Sequence, residues 1–382
     1  MGYIHTEIIT EQISKKINKP NGDVTGNYRD NTSTIHFLCD GVGSGLKANL
    51  AATMTISRMK EMVSSGFTLR QTFGSVIKTM EDARAKDLPC AFFSSVRILN
   101  DGIASVFTYD MPEPIFVAKR YSTLLKGMTH QFGDGVVSEW NCSLAIGEGL
   151  LLMSDGITQA GLGKGLPHGW GSQNVNKFVS ECLKNGAKTT ELPKLIIDEA
   201  YKYWHKEPGD DLTVSLVHCR KGRVVNLFSG PPANPEDDFN IISKFLSNEG
   251  LKIVCGATTA KLTAKVLNKE FEINPSFNSM IAPPDYSIEG IDLVTEGAVT
   301  LNQLYNVWEE DFSKFEKNSP VTELYSMLNG ADKINIFLGK SINPASDDIS
   351  FVQSGILTRQ RIIPLIINRL KKDGKLVNVI EF

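Results

Sequence analysis

Apolar and polar positions follow two different rhythms along this chain. Residues 34–39 (TIHFLC) are rich in β-branched and aromatic side chains and predict a short strand. It runs straight into Asp40-Gly-Val-Gly-Ser-Gly45. Leu46, Leu50 and Met54, then Met59, Met62 and Val63, recur at helical spacing and predict a helix that Gly66 stops. A second helix is predicted over 68–84, with Leu69, Phe73, Val76, Ile77 and Met80 on one face. The next passage reads as β. Segments 91–99 and 103–109 flank Asn100-Asp101-Gly102, a hairpin corner, and 115–118 and 149–153 add strands. Helices over 175–183 and 192–204 then lead to the polar corner Glu207-Pro-Gly-Asp-Asp211 and a strand at 212–219.

Beyond 220–223 the rhythm becomes strand, loop, helix, repeated. Strands are predicted at 224–228, 251–255, 291–294, 334–338 and 377–380, with helices over 237–247, from Leu301, and over 361–371. Such alternation predicts a layered α/β domain. The expected division is therefore 1–220 and 221–382. Gly256-Ala-Thr-Thr-Ala260 and Thr295-Glu-Gly297 each lie between a strand and a helix, where backbone N–H groups can cradle an anion or a threonine can simply cap the helix.

Composition narrows the function classes. Lys plus Arg number 40 against 43 Asp plus Glu, a net charge of -3, which argues against a nucleic-acid partner. No apolar run is long enough to cross a bilayer, and residues 1–19 carry no apolar signal-peptide core. The expectation is a cytoplasmic protein with no membrane association. The six cysteines form no CxxC pair and read as reduced thiols. The six histidines form no HxxxH pair, so a His-based metal site would need tertiary convergence.

Aspartates carry the chemistry. Asp40 follows one apolar strand, Asp155 follows another, Asp210 precedes a third, and Asp23 sits just ahead of the first. Any single Asp-Gly is ordinary turn chemistry, Asp101-Gly102 included. Several carboxylates at strand ends without Arg or Lys partners would repel one another and raise their own pKa values. A hard cation removes that repulsion, and an all-oxygen ligand set suits Mg²⁺ or Mn²⁺. Gly41 lets the backbone come close enough to offer its carbonyl.

Asn21-Gly-Asp-Val24, Cys39-Asp-Gly-Val-Gly-Ser-Gly-Leu-Lys-Ala48, Met153-Ser-Asp-Gly-Ile157 and Gly209-Asp-Asp-Leu-Thr-Val214 occur in an order that resembles the metal-dependent Ser/Thr protein phosphatases (PPM). The bacterial branch typified by stage II sporulation protein E is the most similar. The resemblance spans roughly 10–219. It implies an α+β fold, a four-layer α-β-β-α sandwich, followed here by the smaller α/β domain. It also implies two divalent cations, Mn²⁺ or Mg²⁺. Asp40 would bridge them, the Gly41 carbonyl would join one, Asp155 and Asp210 would bind the other, and Asp23 would bind directly or through water. Asp211 is a further candidate metal ligand, but it stands where relatives often carry Asn, which leaves its role open. The implied partner is a phosphorylated regulatory protein, with a homodimer as one candidate assembly. The implied regulatory element is 46–84, with Gly66 as its hinge. Arg29 and Arg58 are candidate phosphate-steadying residues, each with an ordinary surface role as the alternative.

Other readings fit less well. Gly41-Val-Gly43-Ser-Gly45 mimics a dinucleotide fingerprint, but its third glycine would fall on Leu46. Leu338-Gly-Lys-Ser341 mimics a P-loop whose first glycine would fall on Ile334. A catalytically weak phosphoprotein- or nucleotide-binding module is the remaining alternative. For the C-terminal half, a phosphometabolite or nucleotide is the candidate ligand.

Overall fold

The strand at residues 33–41 shows how the first half is built. Ile35, Phe37 and Cys39 face a pair of helices, whereas Leu38 faces a second sheet. This period-two alternation, apolar on both sides, marks a strand buried on both faces. The computed structural model describes residues 2–16, 18–132, 135–274, 285–310, 319–341 and 355–382. Two compact units emerge: Ile4–Lys221, and Gly222–Phe382 together with the residues preceding Ile4.

In chain order the first unit runs β1 (Ile4–Ile13), β2 (Asp23–Arg29), β3 (Ser33–Gly41), α1 (Leu46–Ser64), α2 (Leu69–Ala85), β4 (Ala91–Leu99) and β5 (Ile103–Tyr109). It continues with β6 (Ile115–Val117), β7 (Ser122–Leu124), β8 (Met128–Phe132), β9 (Gly135–Ser143) and β10 (Gly149–Met153). Helices α3 (Asp155–Thr158), α4 (Ser172–Lys184) and α5 (Leu192–Tyr203) and strand β11 (Leu212–Lys221) complete it. A six-stranded antiparallel sheet has the order β2-β3-β4-β5-β9-β8, and a five-stranded one has β1-β11-β10-β6-β7.

Leu38, Val96 and Ile98 of the first sheet meet Leu150, Leu152, Val217 and Cys219 of the second. On the outer face of the six-stranded sheet, Ala52, Ile56 and Met59 of α1 and Phe73, Val76 and Ile77 of α2 cover Phe37 and Phe93. Leu151, Met153, Val214 and Leu216 are covered by Val175 and Val179 of α4 and Ile196 of α5. The unit is thus a four-layer α-β-β-α sandwich. Helix α2 opens on a capping box, Thr68 with Gln71, just after Gly66 turns the chain at φ 91°.

The second unit contains β12 (Val224–Ser229), α6 (Asp238–Ser247), β13 (Leu251–Cys255), α7 (Ala257–Leu267), β14 (Phe271–Asn274), β15 (Asp285–Ile288) and β16 (Leu293–Thr295). It ends with α8 (Ala298–Asn306), α9 (Pro320–Gly330), β17 (Lys333–Leu338), α10 (Arg359–Lys372) and β18 (Leu376–Glu381). Its seven-stranded sheet has the order β14-β15-β16-β13-β12-β17-β18. The five strands from β16 to β18 are parallel, and the β14–β15 hairpin adds an antiparallel edge. Val225, Leu227, Ile334 and Ile336 pack under α8, α9 and α10, while Phe228, Val254 and Phe337 pack under α6 and α7. The sheet is therefore covered on both faces, as parallel sheets require. No helix among the described residues is long and apolar enough to cross a membrane.

Candidate metal centre

Antiparallel pairing brings the first two aspartates together. Asp23 opens β2 and lies directly opposite Asp40 near the end of β3. The strands of the second sheet place the others. Met153 pairs with Val214, so Asp155, two residues beyond β10, and Asp210, two before β11, come off the same sheet end. The Ser154 amide donates to the Thr213 carbonyl at 3.0 Å and the Thr213 amide donates to the Ser154 hydroxyl at 3.0 Å, which fixes that end. Gln12 on β1 ties the two sheets across it. Its amide donates to the Asp23 carbonyl at 3.3 Å and to the Thr213 hydroxyl at 2.9 Å.

Asp23, Asp40, Asp155 and Asp210 therefore share one neighbourhood. The Asp40 carboxyl feels the charges of Asp23, Asp155 and Asp210. Burial raises the Asp40 pKa far out of the carboxylate range, and those three charges raise it further. Burial likewise pushes Asp23 up to about 7, against the opposing pull of the Thr213 and Ser154 hydroxyls. Asp210 is also raised by burial, while the Asp211 amide, donating to its Oδ1 at 2.9 Å, holds it down. Gln159, one turn along from Asp155, donates to Asp155 Oδ2 at 2.7 Å. Oδ2 of Asp23 and Oδ1 of Asp155 are buried with no hydrogen-bond partner.

Orphaned, buried, acceptor-only oxygens are what a hard cation needs. Among the described residues, no group of three His, Cys, Asp or Glu side chains already stands in ligating geometry. The donor chemistry of the site fits a divalent cation.

Asp211 has a different set of partners. Its Oδ1 accepts from the Lys15 amide at 2.7 Å and its Oδ2 from the Gly22 amide at 2.8 Å. The Gly22 carbonyl in turn accepts from the Gly41 amide at 3.2 Å, and Asn49 of α1 donates to the Asn21 carbonyl at 2.7 Å. Asp211 thus clamps the loop that delivers Asp23. Asp211→Ala is expected to cost about 2 kcal/mol, because two backbone N–H groups lose their acceptor. Urea unfolding of the two proteins checks this.

Gly41 is needed for space rather than for an unusual φ, since it lies outside the left-handed region. A Cβ there would stand 2.0 Å from the Ala48 carbonyl oxygen of α1. Arg29 and Arg58 lie elsewhere. Arg29 ends β2, opposite Thr34, six residues along from the Asp23–Asp40 pair, and donates to the Thr34 hydroxyl and the Thr6 carbonyl. Arg58 links α1 to Thr79 and Ser75 of α2. The cation whose field reaches Asp210 is Lys15. It was invisible to motif reading, because only tertiary structure brings the residues after β1 to the start of β11.

The raised carboxyls set a pH dependence. Each binds its proton more tightly in the folded chain than at its unfolded value of 3.8. Stability of the cation-free protein therefore falls as pH climbs from 3.8 through the Asp23 value of about 7, and Asp40 extends the fall beyond it. Melting by calorimetry in EDTA is expected at a lower temperature at about pH 7.5 than at about pH 5. Added Mg²⁺ is expected to raise the melting temperature by about 5 °C at the higher pH and by less at the lower, where protons compete.

A family model described as stage II sporulation protein E (SpoIIE) matches residues 30–220, half of the chain. The chain belongs to the SpoIIE family of PPM phosphatases. No curated protein matches it. Among solved structures, the PP2C phosphatase domain with a fragment of the regulatory domain of SpoIIE from Bacillus subtilis is 17% identical. That match covers 58% of this chain and 63% of that one, with a TM-score of 0.47. The RsbU and RsbW domains of a Mycobacterium tuberculosis protein are 14% identical, covering 64% and 69%, with a TM-score of 0.48. A serine/threonine phosphatase from S. agalactiae is 16% identical, covering 56% of this SpoIIE-family chain and 99% of its own, with a TM-score of 0.42.

Proposed function

We propose that this SpoIIE-family protein is a metal-dependent phosphatase acting on phosphoserine or phosphothreonine of a regulatory protein. The observation that carries the reading is the convergence of four aspartates at one end of the sandwich, two of them with buried, unpartnered oxygens. Asp23, Asp40, the Gly41 carbonyl, Asp155 and Asp210 would hold two divalent cations, Mg²⁺ or Mn²⁺, in this reading. Bound there, the cations would make a water acidic enough to attack phosphorus and would offset the charge of the phosphoryl oxygens.

The rest is positioning by the chain. Asp40 has Asp23 on one side and Asp155 on the other, which suits the bridging role. Gln159 sets the rotamer of Asp155, and Asp211 holds the loop carrying Asp23. Lys15 supplies positive charge beside Asp210 for an incoming phosphate. No protein nucleophile is required. The neighbouring Cys39 is fully buried, and burial together with Asp40 and Asp23 pushes its thiol far above the range in which it ionises. The second unit serves as a regulatory or partner-binding element in this reading, with a phosphometabolite or nucleotide as its ligand class.

The test is phosphate release by the full chain from a chromogenic phosphate ester and from phosphoserine and phosphothreonine peptides. Release with Mn²⁺ or Mg²⁺ and none in EDTA is the expected result. No release from any substrate with either cation would favour a phosphoprotein-binding module.

A further inference from the structure

In the second unit the parallel strands run β16-β13-β12-β17-β18 across the sheet. In chain order that is third, second, first, fourth, fifth, so the winding reverses between β12 and β17. Open α/β sheets leave a crevice at the carboxyl ends of their strands where the order reverses.

Just past these two strands the Gly339 amide donates to the Ser229 carbonyl at 3.0 Å and the Ser341 amide to the Pro231 carbonyl at 3.4 Å, and Arg359 lies against this junction. Its Nη2 donates to the carbonyl oxygens of Gly339 at 3.0 Å and Ser341 at 2.5 Å, both just past β17. A Cβ on Gly230, just past β12, would fall 2.0 Å from Arg359 Nη1. The guanidinium is half-buried, its Nε has no hydrogen-bond partner, and no described carboxylate pairs with it. Burial lowers its pKa, and a buried cation is costly unless an anion accompanies it.

Helix α10 begins at this same Arg359. Its first turn contains no acidic residue, Thr358 makes no capping hydrogen bond, and it opens Arg359-Gln360-Arg361. Cations at a helix N-terminus oppose the helix dipole, whereas an anion is stabilised there. An independent group points to the same place. Ser229, the last residue of β12, is 1% exposed and its hydroxyl has no hydrogen-bond partner. Val225 and Leu227 precede it on the face packed by Ile362, Ile363 and Ile366 of α10. Strand alternation therefore turns the Ser229 hydroxyl toward the N-terminal end of α10.

We infer that this crevice binds the phosphate group of a small phosphorylated metabolite. The Arg359 guanidinium, the Ser229 hydroxyl and the N–H groups of Arg359 and Gln360 at the start of α10 grip it. Gly230, with φ 85°, keeps the floor open where a side chain would displace the guanidinium.

The site is tested on the full chain carrying Asp40→Asn, in EDTA, so that the aspartate cluster contributes nothing. The probes are inorganic phosphate and AMP, titrated at constant ionic strength with chloride as the control and melting temperature as the readout. The expected result is a saturable rise with phosphate or AMP that chloride does not reproduce. Arg359→Gln is expected to weaken apparent affinity at least ~10-fold, and Ser229→Ala by about 3-fold. Ser229→Ala removes one oxygen without disturbing packing, so it decides the matter if Arg359→Gln fails to fold. Equal responses in the parent and variants would overturn the site, as would no rise with either probe. Either result leaves the phosphatase reading untouched, because that activity is absent from the protein used.

Discussion

Asp40→Asn is expected to lower kcat/KM for phosphopeptide hydrolysis on the order of 10³-fold or more while leaving the protein folded. Asp40 faces Asp23 across a strand pair and also feels the charges of Asp155 and Asp210. The amide keeps the shape of the carboxylate but withdraws the charge on which both proposed cation positions depend. The same charge is a burden to the empty site, because burial and three neighbouring carboxylates oppose it. Asp40→Asn should therefore melt no lower than wild type in EDTA, yet lose the stabilisation that Mg²⁺ gives wild type. Steady-state kinetics and calorimetry together check this. Loss of activity accompanied by a large drop in melting temperature in EDTA would instead make Asp40 a folding residue.

Gly41→Ala is expected to destabilise the fold by at least ~3 kcal/mol, the largest stability effect expected in this region. The added methyl would lie 2.0 Å from the Ala48 carbonyl oxygen and 2.5 Å from its carbon. That neighbour is helix backbone, so no rotamer change can relieve the clash. Helix α1 must move off β3, and with it go Ala52, Ile56 and Met59, which cover Phe37 and Phe93. Gly43→Ala is the contrast. Nothing lies within 4 Å of a Cβ there, so only its φ of 104° resists the change, at a cost of about 1 kcal/mol. Urea midpoints for the two variants separate close approach from backbone strain.

What could be read from the chain follows from how local each signal is. The strand Gly149–Met153 and the hairpin Ala91–Leu99 with Ile103–Tyr109 have the bounds expected from their apolar runs. Helices α1 and α2 depart from expectation by a residue or so at their ends. Strand β1 escaped notice because IHTEIITEQI alternates imperfectly and most of it is only half-buried at a sheet edge. Strands β7 to β9 are polar and partly exposed, so they lack the apolar run that marks a strand.

The aspartates were legible as a set because each adjoins a strand end, but their settings differ from plain loops. Asp23 and Asp40 lie within β2 and β3, and Asp155 begins α3. Long-range partnerships were not legible. The Asp211 clamp joins residues 189 and 196 positions apart, and nothing local announces it. Arg29 and Arg58 looked near the cluster only along the chain. Strand and helix geometry carry them away from it.

In the proposed function the aspartate end of the sandwich is a two-cation site whose cation-free form holds protons. Isothermal titration of the full chain with Mn²⁺ near neutral pH, in two buffers of different ionisation enthalpy, tests it most directly. Two ions per chain are expected to bind, with net release of protons from Asp40 and Asp23, and Asp40→Asn is expected to lose this behaviour. Absence of Mn²⁺ binding, or binding with equal stoichiometry and no proton release in both proteins, would contradict it.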